Sequence, residues 1–501
     1  MTGVETGPTR SRVGCLQVGE PARVPRPPLA IVLAPSRSLS RNGRARCATA
    51  ALCLAPLAAD AQIANSEALV DLVARPGGAG VGVLFSSERS PYRGAGQRSD
   101  VQPVYLYEGA RFFLRSDRVG LKFVPFEGLR LETYLRRRIE GFPFDDPPPS
   151  LQGMKPRDGG VDLGLTWRLH AGVGQAYVSA TQNLGHQARG QELSLGAHTD
   201  WAAGRWILRP AASVTWRSSR SNDFYVGVPP DQATPERPAY EPAAGVDVST
   251  GLFVSYQLTQ AWRLVGGVNA TRYSSTVRAS PIAEPGTQLG VVAGATYSLG
   301  ADQVRQQVAT SPTWVRLLYG RAAEDRCDIV LIATLRCTTI NDVAPTEIIG
   351  VTLGKTLVEN LNDWPLDIVG YAGLIVHHDR PFQRDGAELN LFLKAFFRGL
   401  PWSDRVLTRL GFGWGISLAD PVPYAEVAEQ ASRERLVSRL LNYIEPSIDV
   451  SLGDLAGKPE WKQTFVGLSV THRSGMFGNS QLLGKVDGGS NYITLYLEHP
   501  F

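Results

Sequence analysis

Nowhere do the 501 residues offer eighteen consecutive apolar positions, so no segment is suited to crossing a membrane as a helix. Cysteine is scarce. Of five, three (Cys15, Cys47 and Cys53) fall within the first 61 residues, and neither Cys47 nor Cys53 stands in a sequence suited to lipid attachment. Excess charge is lacking as well. Residues 1–61 hold eight of the 51 basic and three of the 47 acidic residues, which leaves 43 against 44 beyond them. Balanced charge removes the electrostatic footprint of a nucleic-acid partner. No cluster of His, Cys, Asp and Glu has metal-ligand spacing, and nothing implies a cofactor.

What is present begins with an address label. RNGRAR (41–46) is a positive stretch, CATAALCLAPLAA (47–59) an apolar one, and Ala59-Asp60-Ala61 fits a cleavage site. This order predicts a signal peptide cut after Ala61. Residues 1–40 are then an extended leader, or are read from a start codon set too far upstream. Cys327 and Cys337 remain as a candidate disulfide of an exported protein. Ten residues of straight strand would hold them about 33 Å apart, so they pair only if the chain turns back between them.

The body of the chain alternates with period two. Val246, Val248, Thr250, Leu252, Val254, Tyr256 and Leu258 share one face, opposite Asp247, Ser249, Gly251, Ser255 and Gln257. Leu389, Leu391, Leu393, Ala395 and Phe397 oppose Glu388, Asn390, Lys394 and Arg398. A soluble sandwich also alternates. The combination with a signal peptide, segments of about ten residues and aromatics near their ends points instead to an all-β transmembrane barrel. At the C-terminus, Ile493, Leu495, Leu497 and the final Phe501 fall on one face. That pattern resembles the signal by which outer-membrane barrels are recognised for insertion.

Two stretches resemble known families. SERSPYRGAGQRSDVQPVYLYEG (87–109), LQGMKPRDGGVDLG (151–164), SNDFYVGV (221–228) and AWRLVGGVNATRYSSTVRASPI (261–282) stand in the order found in the MipA/OmpV family of outer-membrane proteins. The resemblance covers about 75–299 and implies a barrel of roughly ten to twelve strands closing at GATYSL (294–299). It also implies partners, since the namesake links a murein lytic transglycosylase to a murein synthase. After a linker (300–327), residues 328–501 read as an eight-stranded second barrel, with strands at 328–337, 347–359, 367–378, 387–398, 404–418, 441–453, 464–474 and 490–501. A single barrel of about twenty strands is the alternative. The loop 419–440 is expected to carry a short covering helix, because Glu426, Glu429 and Arg433 are helically spaced.

His472 and Ser474, in VTHRSGMFG (470–478), follow Val466, Leu468 and Val470 on the lipid-facing side of strand 464–474. Polar residues are ordinary where lipid meets headgroups. HRS (472–474) followed by GGSNYITLYLEHPF (488–501) is also similar to the PagL-type lipid A deacylases, eight-stranded barrels with a lipid-facing His-x-Ser pair and a Glu. That likeness implies Ser474 as nucleophile and His472 as base. The family's Asn after the Ser is Gly475 here and its Glu is missing, with Asn491 on the same face to orient His472 through its amide oxygen. An amide stabilises imidazolium less than a carboxylate does.

Other candidates are weaker. His377 and His378, adjacent in a strand, point to opposite faces. GGAGVG (77–82) has no βαβ unit behind it and reads as the first strand. Asp145-Asp146 reads as an exposed loop that could bridge to lipopolysaccharide through a divalent ion. The expectations are therefore a Gram-negative outer-membrane location, contact with outer-membrane lipid and lipopolysaccharide, a scaffold role beside murein enzymes, and lipid ester hydrolysis as the alternative. An open porin is the third option.

Overall fold

In the alternating segments the charged face is the buried one. Glu388, Asn390 and Lys394 are each at most 1% exposed, whereas Leu389 on the opposite face is 58% exposed. A soluble sheet would bury the leucines; these strands turn them outward, as lipid requires. A computed structural model describes residues 67–73, 78–142, 147–185, 189–324, 326–433 and 435–501. The expected signal peptide and Asp145-Asp146 lie outside the described residues.

A short helix α1 (Glu67–Val73) precedes twelve strands: β1 (Gly78–Arg89), β2 (Gln97–Glu108), β3 (Phe112–Arg115), β4 (Arg118–Phe126), β5 (Leu129–Arg137), β6 (Val161–Ala171), β7 (Gly174–Asn183), β8 (Gln191–Thr199), β9 (Trp206–Arg217), β10 (Gly245–Gln257), β11 (Trp262–Arg272) and β12 (Gln288–Ser298). Each pairs antiparallel with its chain neighbour, and β12 closes on β1 with Ser298 opposite Gly80. Helix α2 (Ala301–Thr310) leads to eight more strands: β13 (Thr313–Ala322), β14 (Glu347–Val358), β15 (Leu366–His378), β16 (Gly386–Phe397), β17 (Thr408–Asp420), β18 (Leu440–Ser451), β19 (Phe465–Ser474) and β20 (Asn491–Pro500). These form a second closed barrel, with Leu317 opposite Leu497 at the seam. Two barrels, not one of twenty strands, is the architecture.

The expected first strand of the second barrel, 328–337, is a correction. Residues 313–322 form that strand. The apolar run after Asp328 becomes a helix, α3 (Ile329–Ala333), because the Asp328 carboxylate caps the N–H groups of Val330 and Leu331. The intended linker 300–327 accordingly holds α2 and most of its remaining length is strand.

Connections of two to four residues (127–128, 172–173, 258–261) lie at one end of the first barrel, and its three longest connections (138–160, 218–244, 273–287) all lie at the other. Short turns face the periplasm in outer-membrane barrels, which orients both barrels. Exposed Trp201, Trp206 and Trp262, and Trp364, Trp402 and Trp461 of the second barrel, ring the periplasmic end. Such aromatics sit at headgroup level.

The wall of the first barrel is incomplete. β2 meets β3 only from Leu106–Arg115 to Glu108–Phe113, so its outer half lacks a neighbouring strand on that side. The outer loop 475–490 of the second barrel fills the place. The Val101 amide donates to the Asn479 carbonyl and the Gln481 amide to the Asp100 carboxylate, at 2.9 and 2.7 Å. Leu482, Leu483 and Val486 pack with Leu441 against Ile139 of the first barrel. Nearby, Tyr105 on β2 donates to Asn442 on β18 and packs edge-on against Trp414. A polar pair between lipid-facing surfaces makes a directional contact that apolar side chains alone cannot.

Candidate functional site

At the outer end of β19, alternation points Phe465, Gly467, Ser469, Thr471 and Arg473 into the lumen and Val466, Leu468, Val470, His472 and Ser474 outward. Asn491 stands directly across from His472 on β20. The three residues singled out in the sequence therefore share one neighbourhood. His472 Nδ1 lies 3.2 Å from the Ser490 carbonyl oxygen, Ser474 Oγ accepts the Met476 amide at 3.3 Å, and Asn491 Nδ2 donates to the Cys327 carbonyl. Among the described residues no hydrogen bond joins His472 to Ser474.

Sequence reasoning missed what covers this face. The chain turns back through α3, and Cys327 and Cys337 form a disulfide with their Cα atoms 5.4 Å apart. The clamped loop packs Ala323, Cys327 and Ile332 against Val470. Asp328 stands in this loop with its Oδ1 held by the α3 cap. The signal that would have revealed the cover was an Asp one residue after a Cys, ahead of a short apolar run.

The second lumen is packed shut. Arg316 bonds Glu498 and Glu445, each at 2.7 Å, and Arg409 bonds Asp449 and Glu498. Lys394 also pairs with Glu445. Tyr371, Tyr443 and Tyr496 donate to Glu498, Glu445 and Asp449. Three cations thus meet three carboxylates, in a barrel whose eight strands enclose little more than their own side chains. At the outer end, helix α4 (Tyr424–Ser432) covers the mouth. It realises the helix expected in 419–440, with the Glu429–Arg433 pair on its surface. Its Glu426 reaches inward to Arg473 at 2.9 Å. His377 turns inward to Glu388 and His378 outward near Asp385, so the two do not converge on a ligand.

The wider first lumen is occupied by α1. Leu69, Leu72 and Val73 pack on Leu84, Val104, Phe253 and Val265. The polar face of the helix pairs with the wall: Glu67 with Arg118 and Arg168, and Asp71 with Arg168 (2.7 Å) and Gln175 (2.6 Å). Burial alone would raise the Glu67 carboxyl, but the two guanidinium groups hold it at about 2 rather than 4.5. Asp71 is likewise driven below the usual range by Arg168 and Arg115 against the effect of burial. Beyond α1 lies a cavity of about 210 Å³, lined by Arg136, Arg138, Arg217, Glu140, Glu192 and Asp247 among others. Above it the outer loops close over one another through Tyr92, Phe142, Leu151, Tyr225, Tyr273 and Ile282.

Comparison with known proteins places this architecture. Residues 80–299 match the family model of MltA-interacting protein MipA. Outer membrane protein Omp26La of Vibrio anguillarum is 28% identical over 189 residues, covering 37% of this chain and 73% of its own. Outer membrane protein OmpV of Vibrio cholerae serotype O1 is 28% identical over 196 residues, covering 38% of this chain and 75% of its own. Lipid-facing apolar stripes and these relatives agree: residues 80–299 are similar to the MipA family, and the protein is an outer-membrane β-barrel protein of MipA/OmpV type.

Proposed function

We propose that the protein is a scaffold of the cell envelope, exported by its signal peptide, which holds a murein-remodelling enzyme at the periplasmic rim of its first barrel. The occupied lumens carry this reading. A chain whose first lumen holds a salt-bridged helix and whose second is packed with paired charges offers solutes no conduit, so its working surfaces are its rims. The family description names an interaction with MltA for the namesake, and a murein lytic transglycosylase with its murein synthase is the partner class to test. Ester hydrolysis by Ser474, His472 and Asn491 is the weaker reading, since the disulfide-clamped loop occupies the lipid-facing approach beside them.

The test is recovery of the tagged full chain from envelopes in mild detergent, with an unrelated outer-membrane barrel as control. Murein lytic transglycosylase and murein synthase are expected to accompany it at no less than about tenfold over the control, the enrichment that an affinity difference of ~1.4 kcal/mol gives. Recovery of the folded chain without either enzyme counts against the scaffold.

A further inference from the structure

The two barrels meet at two sets of contacts, one nearer the outside and one at the periplasmic end. Above, the Tyr105–Asn442 bond and Trp414 join them. Below, α2 seats Val304 in a cluster with Ala79 and Leu299 of the first barrel and Leu357, Val358 and Ile368 of the second. The space left is a cleft of about 320 Å³, walled by Phe112 and Leu114 on one side and Leu353, Ala372 and Leu391 on the other, with Val308 of α2 at its floor. By strand alternation these wall residues are outward-facing, so the cleft lies within the hydrocarbon layer.

Neither water nor vacuum suits such a space. Its mainly apolar lining offers water few polar partners. Left empty, the wall atoms would forgo dispersion contacts. The surrounding solvent is acyl chain, and α2 at the floor places the cleft in the periplasmic leaflet. Lys355 lies at the same level. Its ammonium donates to the Ser311 carbonyl at 2.7 Å, which uses one of its three N–H donors.

We propose that the cleft between the barrels seats one acyl chain of a glycerophospholipid from the periplasmic leaflet, with the Lys355 ammonium beside its phosphate. The lipid acts as a wedge that completes the packing of the two barrels. The full chain, purified from outer membranes in mild detergent, is to be examined by native mass spectrometry. One retained glycerophospholipid per chain is expected. Ala372→Trp and, independently, Leu391→Trp fill the cleft and should each lower its retention about tenfold or more. Val268→Trp, on an exposed lipid-facing position of β11 remote from the cleft, should retain it, and folding of every variant is read by heat-modifiable mobility. Equal retention in all the folded variants overturns the proposal, as does a wild-type chain that carries no lipid. Retention of a lipopolysaccharide in place of the phospholipid overturns the leaflet and the headgroup assignment.

Discussion

Replacing Glu67 and Asp71 together with Ala is expected to release α1 from the first barrel while leaving the barrel folded. The two carboxylates make four bonds, to Arg118, Arg168 twice and Gln175. The wall keeps its own carboxylates: Asp117 stays with Arg118, and Glu132 with Arg115 and Arg168. The loss therefore falls on the helix rather than on the wall. Breaking buried ion pairs costs about 3–5 kcal/mol each, so a shift of ~5 kcal/mol or more is expected, at least a thousandfold in the ratio of seated to released helix. The readout is a cysteine placed at Ser179, which lines the cavity beyond α1. A periplasm-side thiol reagent should modify it at least tenfold faster in the double variant. Acid should act in the same direction. Glu67 titrates near 2 when seated against 4.5 in its ordinary state, so its contribution is complete above about pH 4.5 and is lost as pH falls toward 2. Labelling that stays slow in the folded double variant would show that apolar packing alone holds the helix.

The second large effect is expected at Arg316. It is fully buried, and its guanidinium is shared by Glu498 and Glu445 in the second lumen. Arg316→Met leaves three carboxylates facing two cations with no water to solvate the excess. The expected cost is about 3–5 kcal/mol of barrel stability, because the penalty is an uncompensated buried charge and not only a lost bond. Urea titration followed by heat-modifiable mobility measures it. Adding Glu498→Gln to the same chain should return much of the loss, since a pair removed together leaves less charge stranded. An Arg316→Met chain as stable as the unaltered one would mean that water or ions reach this lumen.

Alternation made the barrels legible because the lumen and the lipid impose opposite chemistries on adjacent residues. The bounds of β14 through β20 follow from that pattern to within a few residues. It failed at β13, Thr-Trp-Val-Arg-Leu-Leu-Tyr-Gly-Arg-Ala, because the inner face there carries Trp314 and Leu318, as apolar as the outer Val315 and Leu317. Without polar residues at every second position a strand loses its period. The decoy at 328–337 had the composition of a strand, and its single helical clue was the capping Asp328. α1 was hidden for another reason. Seven residues cannot hold a helix by themselves, and its partners Arg118 and Arg168 lie 51 and 101 positions further on. Facing and register place His472, Ser474 and Asn491 on one side of β19 and β20, where each has a different hydrogen-bond partner. The clamped loop over them depended on a chain reversal, which the spacing of Cys327 and Cys337 posed only as a condition.

Both lumens are closed by their own side chains, and the first also by α1. The most direct test is single-channel recording of the unaltered chain in a planar bilayer at neutral pH. The structure predicts a silent bilayer, even where mobility shows the inserted protein folded. A steady open conductance from the folded chain would contradict it, and would return the protein to the porins.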